Sequence, residues 1–164
     1  MHSNDDLLTN AEQFAAAFPH RDLPTPPSRH LAVVTCMDSR IDLFALFGLD
    51  LGEAHVLRNA GAIVTDDVLR SLVISQRLLN TAEIYVVAHT ECGLHRLDEQ
   101  AFMANLEEAT GERPAWTTGT FDDADASVRR SLALVRSCTF LVDRAHVRGF
   151  VYDVHTGGLR EVTH

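Results

Sequence analysis

Apolar and polar positions divide the chain into alternating strand-like and helix-like stretches. His30-Leu-Ala-Val-Val-Thr35 is a short, almost continuous apolar run, the pattern of a strand buried on both faces of a parallel sheet. Ile84-Tyr-Val-Val-Ala88 repeats that pattern, and Ala54-His-Val-Leu-Arg58 reads as a further strand. The spacing of Val68, Leu69, Leu72, Val73 and Leu79 predicts a helix over Asp66–Leu79, with Thr65 as its cap and acids in its first turn. A shorter helix through Leu43, Phe44, Leu46 and Phe47 is expected to stop at Gly48. Helical stretches are expected at about 97–109 and 122–136, separated by a loop that Trp116 anchors. Val147–Val154 reads as a strand that turns through His155-Thr-Gly-Gly158 into Leu159–Val162 as a hairpin.

Ahead of the first strand, residues 4–17 read as a short amphipathic helix. Pro19, Pro24, Pro26 and Pro27 then impose an extended connector, which makes that helix an arm able to pack on its own domain or on a neighbouring subunit. The order of strands and helices predicts an α/β fold with a mainly parallel central sheet flanked by helices. The expected division is residues 1–27 as arm and connector, and residues 28–164 as a single α/β domain.

Composition narrows the function. The 164 residues carry 14 Lys and Arg against 23 Asp and Glu, a net charge of −9. That balance argues against nucleic acid, whose phosphates demand a basic face, and disfavours an anionic membrane surface. No run reaches the ~18 apolar residues of a membrane span, and the acidic Met1–Asp6 start predicts no signal peptide. Three cysteines, an odd number, point in a cytoplasmic protein to free thiols, a metal site or a catalytic thiol.

Ligand sites in parallel sheets gather beyond the carboxyl ends of the strands. Two buried-type strands end there in polar chemistry, Cys36-x-Asp38-x-Arg40 and His89-x-x-Cys92. If those strands are neighbours, the two motifs face each other. Cys36, His89 and Cys92 then form a Cys₂His set whose soft donors select zinc. Three protein ligands leave the fourth tetrahedral position for water, whose pKa zinc lowers toward ~7. Asp38 can accept a hydrogen bond from that water, or take the fourth position itself and close the site. The Arg40 fork can hold Asp38 ionised.

Blander readings stand beside this one. A lone cysteine after a strand can be a small buried residue, and an Asp–Arg pair a solvated salt bridge. A redox protein would use Cys36 as nucleophile and Cys92 as resolving thiol, although no Cys-x-x-Cys is present. A zinc domain permanently closed by Asp38 would bind a partner without catalysis.

Cys36-Met-Asp-Ser-Arg40, Arg58-Asn-Ala-Gly61 and His89-Thr-Glu-Cys92-Gly93, in that order and spacing, resemble the β-class carbonic anhydrases, and most of all their short microbial members, including those of mycobacteria. The resemblance spans about Ser28 to Val162. It implies zinc on Cys36, His89 and Cys92, with Asp38 and Arg40 as catalytic dyad. It further implies an antiparallel extension of the sheet and a homodimer or homotetramer embraced by the N-terminal arm. The implied reaction is reversible hydration of carbon dioxide to bicarbonate and a proton by zinc-bound hydroxide, with Asp38 moving onto zinc only in a closed site. Some relatives of this type hydrolyse carbonyl sulfide and others carbon disulfide, so a carbonyl sulfide hydrolase is the alternative.

Glu91 departs from the Gly or Asp of many relatives and reads either as a solvent-facing carboxylate or as a tuned field at a gated entrance. Gly93 is a candidate for leaving space to the substrate, and Gly61 for a tight turn. His95 is the proton-shuttle candidate. His2, His20 and His164 read as solvated, and Cys138 as a buried free thiol.

Overall fold

The computed structural model describes residues 4–19 and 22–163. The chain runs through α1 (Asp5–Ala16), β1 (Leu31–Cys36), α2 (Leu43–Phe47), β2 (Ala54–Asn59), a 3₁₀ turn (Ala60–Ala62) and α3 (Asp66–Leu79). It continues through β3 (Glu83–His89), α4 (Glu99–Thr110), α5 (Ala124–Ser137), β4 (Val147–Tyr152) and β5 (Leu159–Glu161). The strands form one sheet in the order β2-β1-β3-β4-β5. β2, β1, β3 and β4 are parallel, and β5 returns antiparallel along β4. This is the expected α/β architecture, a mainly parallel sheet with an antiparallel extension.

Capping chemistry sets the element ends. Asp98 accepts the N–H of Ala101 at 3.0 Å, so α4 begins at Glu99 rather than 97. Asp123 accepts the N–H of Ala126 at 2.7 Å and starts α5 at Ala124 rather than 122. β4 ends at Tyr152 rather than Val154, because the Asp153 carboxylate takes the N–H groups of His155 and Thr156 at 2.8 and 3.1 Å and folds the chain into a turn.

Both faces of the central strands are buried, as their unbroken apolar runs require. Ala32, Val34, Ile84 and Val86 pack with Leu72 of α3 and with Val128, Leu132 and Val135 of α5. Leu31, Val33, Val87 and Phe150 face the other way, against Leu43 of the short α2. That second layer is thin, and Phe47, Tyr85 and Tyr152 on it are only partly buried. Each described side chain of α1 is exposed, including Leu7, Leu8 and Phe14.

Two side chains sit differently from the sequence reading. Trp116 is 58% exposed and does not anchor its loop. Thr118 does so instead, because its N–H and hydroxyl both donate to Glu99 Oε1 at 2.6 and 2.8 Å. Cys138 is half-buried, since it sits at the C-terminal cap of α5 on the wall of a groove between α3 and α5. His2, His20 and His164 lie outside the described residues. Among those described, no helix is long and apolar enough to cross a membrane.

Gly149 of β4 lets α5 lie close on the sheet. A Cβ there would meet Val128 Cγ1 and, at 2.9 Å, Leu132 Cδ1. Gly149→Ala is expected to cost about 1–3 kcal/mol by overpacking, read as a lower denaturation midpoint. An unchanged midpoint would show that α5 can lift off without penalty.

Candidate metal centre

β1 and β3 are direct parallel neighbours, with Leu31 level with Glu83 and Thr35 level with Val87. Their last residues, Cys36 and His89, therefore emerge side by side at the carboxyl edge, where the turn after β3 adds Cys92. The ligand atoms of Cys36, His89 and Cys92 all lie within 4.8 Å of one another. These residues are 4%, 2% and 7% exposed, so bulk water does not satisfy them.

His89 is oriented by its backbone surroundings. Its Nδ1 lies 2.8 Å from the Thr90 carbonyl, which can only accept, so Nδ1 carries the proton and Nε2 presents a lone pair. Among the described residues, that Nε2 is the one buried side-chain nitrogen or oxygen with no hydrogen-bond partner. A buried imidazole lone pair facing two thiols is unsatisfied in a redox pair and satisfied by a metal ion. The donor chemistry fits zinc. The thiols respond to the same crowding. A hydrogen bond from Cys92 draws the Cys36 thiol well down against the effect of burial, helped by the N–H groups of Asp38 and Gly61. Cys92, holding the shared proton, is pushed up. A cation bound by Cys36, His89 and Cys92 would replace that proton and take both sulfurs as thiolates.

Asp38 and Arg40 meet as the sequence anticipates. Arg40 Nε donates to Asp38 Oδ1 at 2.9 Å, Nη2 to Oδ2 at 2.8 Å, and the Arg40 backbone N–H to Oδ1 at 2.9 Å. This bidentate grip, first through the side chain and then through the backbone N–H, holds the Asp38 carboxyl well below the usual carboxylate range. Asp38 Oδ2 lies 3.9 Å from His89 Nε2, beside the donor set.

The turn carrying this pair is shaped by Arg58 on β2. Its guanidinium donates to the carbonyls of Cys36 at 2.8 Å, Asp38 at 2.7 Å and Ile41 at 3.2 Å. Gly61, at φ 82°, lets its N–H reach Cys36 Sγ at 3.4 Å. Asn59 braces the same 3₁₀ turn through Ile63, accepting its N–H at 3.1 Å and donating to its carbonyl at 2.7 Å.

Glu91 is exposed but not idle. Its backbone adopts φ 53°, a left-handed conformation costing roughly 1–2 kcal/mol. The carbonyl so aimed accepts from Arg40 Nη2 at 3.0 Å, while Oε2 lies 3.5 Å from Nη1 and Oε1 lies 3.0 Å from His155 Nε2. His155 was not singled out by sequence, since its partner lies on the loop after β3. His95 stacks on Phe121 and bonds the Asp122 carbonyl at 3.0 Å, which ties its ring to the α5 side. Gly93 lines, with Ala60, Ile63, Leu94, Phe102 and Trp116, a largely apolar cavity of about 550 Å³. No atom lies within 4 Å of where its Cβ would be.

A family model described as carbonic anhydrase matches residues 31–159. Beta-carbonic anhydrase 1 of Mycobacterium tuberculosis is 47% identical over 163 residues, covering 99% of both chains. A carbon disulfide hydrolase of Acidithiobacillus thiooxidans is 30% identical over 161 residues, covering 85% of this chain and 80% of its own. The crystal structure of a carbonic anhydrase from Streptococcus mutans superposes with a TM-score of 0.91 at 38% identity, covering 99% of both chains.

Arg58 acts on the candidate metal set through the Cys36 carbonyl and not through a donor atom. Arg58→Ala is expected to weaken zinc binding roughly 10–100-fold in competition with a chelator, with the far-ultraviolet circular dichroism unchanged. Undiminished zinc affinity would show that the turn holds its shape unaided.

Proposed function

We propose, for a chain that belongs to the β-carbonic anhydrase family, that Cys36, His89 and Cys92 hold zinc and that the protein reversibly hydrates carbon dioxide to bicarbonate and a proton. The observation that carries this reading is the unpartnered, buried Nε2 of His89, placed between two thiols and 3.9 Å from a carboxylate gripped by Arg40. Bound there, zinc supplies a Lewis acid that makes water a nucleophile near neutral pH.

The remaining work falls to the chain. Asp38 keeps a lone pair free on Oδ2 after Arg40 has used the others it reaches. There Asp38 can accept a hydrogen bond, not the proton, from a water in the site and so orient that water's lone pair. Arg40 keeps Asp38 anionic and in the fork, which favours an open site over one closed by Asp38. Gly93 leaves room for a linear triatomic, and the apolar cavity beyond it suits a neutral molecule that makes no hydrogen-bond demands.

A second reading has its own support. The relative named carbon disulfide hydrolase shares 30% identity over most of both chains, and carbonyl sulfide is as linear and neutral as carbon dioxide. Carbonyl sulfide hydrolysis on the same residues is therefore the alternative.

Residues 1–27 serve as an arm to the domain of residues 28–164. The exposed Leu7, Leu8 and Phe14 of α1, and the thinly covered sheet face of Tyr85 and Tyr152, fit mutual burial in a homodimer or homotetramer. Three free cysteines, two of them needed reduced for zinc, fit the cytoplasm.

On one zinc-quantified preparation, carbon dioxide hydration is expected to exceed sulfide release from carbonyl sulfide. The reverse order would make the chain a carbonyl sulfide hydrolase. Asp38→Asn is expected to retain zinc and lose at least roughly a hundredfold in kcat. Retained turnover would remove Asp38 from the mechanism. The double variant Leu8→Ser, Phe14→Ser is expected to run as a smaller species in light scattering, and an unchanged mass would free the arm of any role in assembly.

A further inference from the structure

Hydration of carbon dioxide releases one proton per bicarbonate, and the inference drawn here rests on that reading. Arg40 cannot accept a proton, and the lone pairs of Asp38 are largely taken by Arg40. The proton must leave through another group.

The described histidines outside the metal set are tied up in different places. His30 bonds the Asn80 carbonyl, His55 bonds Ser75, and His146 bonds Asp143. His95 bonds the Asp122 carbonyl. His155 alone among them is joined to the dyad. Its Nε2 lies 3.0 Å from Glu91 Oε1, and Glu91 holds Arg40 through its carbonyl at 3.0 Å and through Oε2 at 3.5 Å. Arg40 in turn grips Asp38. The imidazole is 68% exposed, so it exchanges freely with buffer, yet it is two side chains away from Asp38.

We propose that His155 is the proton-transfer residue of this enzyme, positioned at the mouth of the site by Glu91. With Nε2–H donating to Glu91, Nδ1 presents its lone pair. A water at the mouth relays the proton: it takes up the proton released by hydration as one of its own O–H bonds breaks and an N–H bond forms at Nδ1, so the water is left unchanged. The imidazolium then passes a proton to a buffer base and returns to the neutral ring. No electrons change hands, and the buffer is the co-reactant.

The charges around His155 suit this task. Glu91 and Asp153 are anionic and Arg40 is cationic, and the two carboxylates prevail, Glu91 first. They hold the imidazole above its ordinary value, Glu91 by accepting its hydrogen bond first of all. The Asp153 carboxylate also fixes the turn by accepting the His155 backbone N–H at 2.8 Å.

The test uses zinc-loaded wild type, His155→Ala and Glu91→Gln. In dilute buffer, His155→Ala is expected to lose at least roughly tenfold in kcat while kcat/KM holds, and rising imidazole concentration is expected to restore kcat. Nuclear magnetic resonance of the imidazoles is expected to show His155 titrating above about 6.5, and lower in Glu91→Gln. Undiminished kcat in dilute buffer overturns the proposal. So does a loss shared by kcat and kcat/KM that imidazole does not restore, or a His155 titration indifferent to Glu91→Gln. A fully zinc-loaded wild type that does not hydrate carbon dioxide overturns the hydration reading and this proposal with it, whereas an active wild type with an indifferent His155 overturns this proposal only.

Discussion

The parallel pairing of β1 with β3 is the constraint on which the rest depends. It joins two strands separated by more than forty residues of chain and sets Cys36 beside His89 at one edge of the sheet. Neither residue has any reason to be near the other in the unfolded chain. The pairing is held by apolar side chains buried on both faces, so the energy that brings the donors together comes from the core. The metal set is thus a by-product of register. A slip of one residue would send every side chain of β1 to the opposite face and disperse the donors.

Around that pairing the structure spends polar interactions in layers. Arg58 gathers three carbonyls of the turn after β1 and fixes where Asp38 and Arg40 emerge. Arg40 then immobilises Asp38, and the strained backbone of Glu91 immobilises Arg40. Each layer is supplied by a different strand end or turn, from β2 to the loop after β3. The result is a carboxylate with little freedom beside a buried, unsatisfied imidazole. Preorganisation of this kind is what a zinc site with an open position requires.

Much of this was legible in the amino-acid sequence, for a physical reason. Strands buried on both faces have unbroken apolar runs, so β1 and β3 announce themselves, and the residues that end them carry the chemistry. The cap of α3 by Thr65 and its stop before Asn80 are likewise local signals. Legibility failed where contacts join distant turns. The three bonds of Arg58 depend on β2 lying next to β1. The Glu91–His155 pair depends on the loop after β3 meeting the turn after β4, and no spacing encodes that. His95, the nearer histidine in sequence, points instead to Phe121 and Asp122. Trp116 illustrates another limit, because composition says that an indole prefers burial while the Thr118–Glu99 bonds hold its loop without it.

In the proposed centre three protein donors hold zinc while Arg40 keeps Asp38 out of the fourth position. A crystal structure of the zinc-loaded protein near neutral pH tests it most directly. Zinc is expected on Cys36, His89 and Cys92, with a non-protein oxygen completing the tetrahedron and Asp38 still in the Arg40 fork. Asp38 on the metal, with Arg40 released, would contradict it, as would a metal-free Cys36–Cys92 pair in a protein given excess zinc.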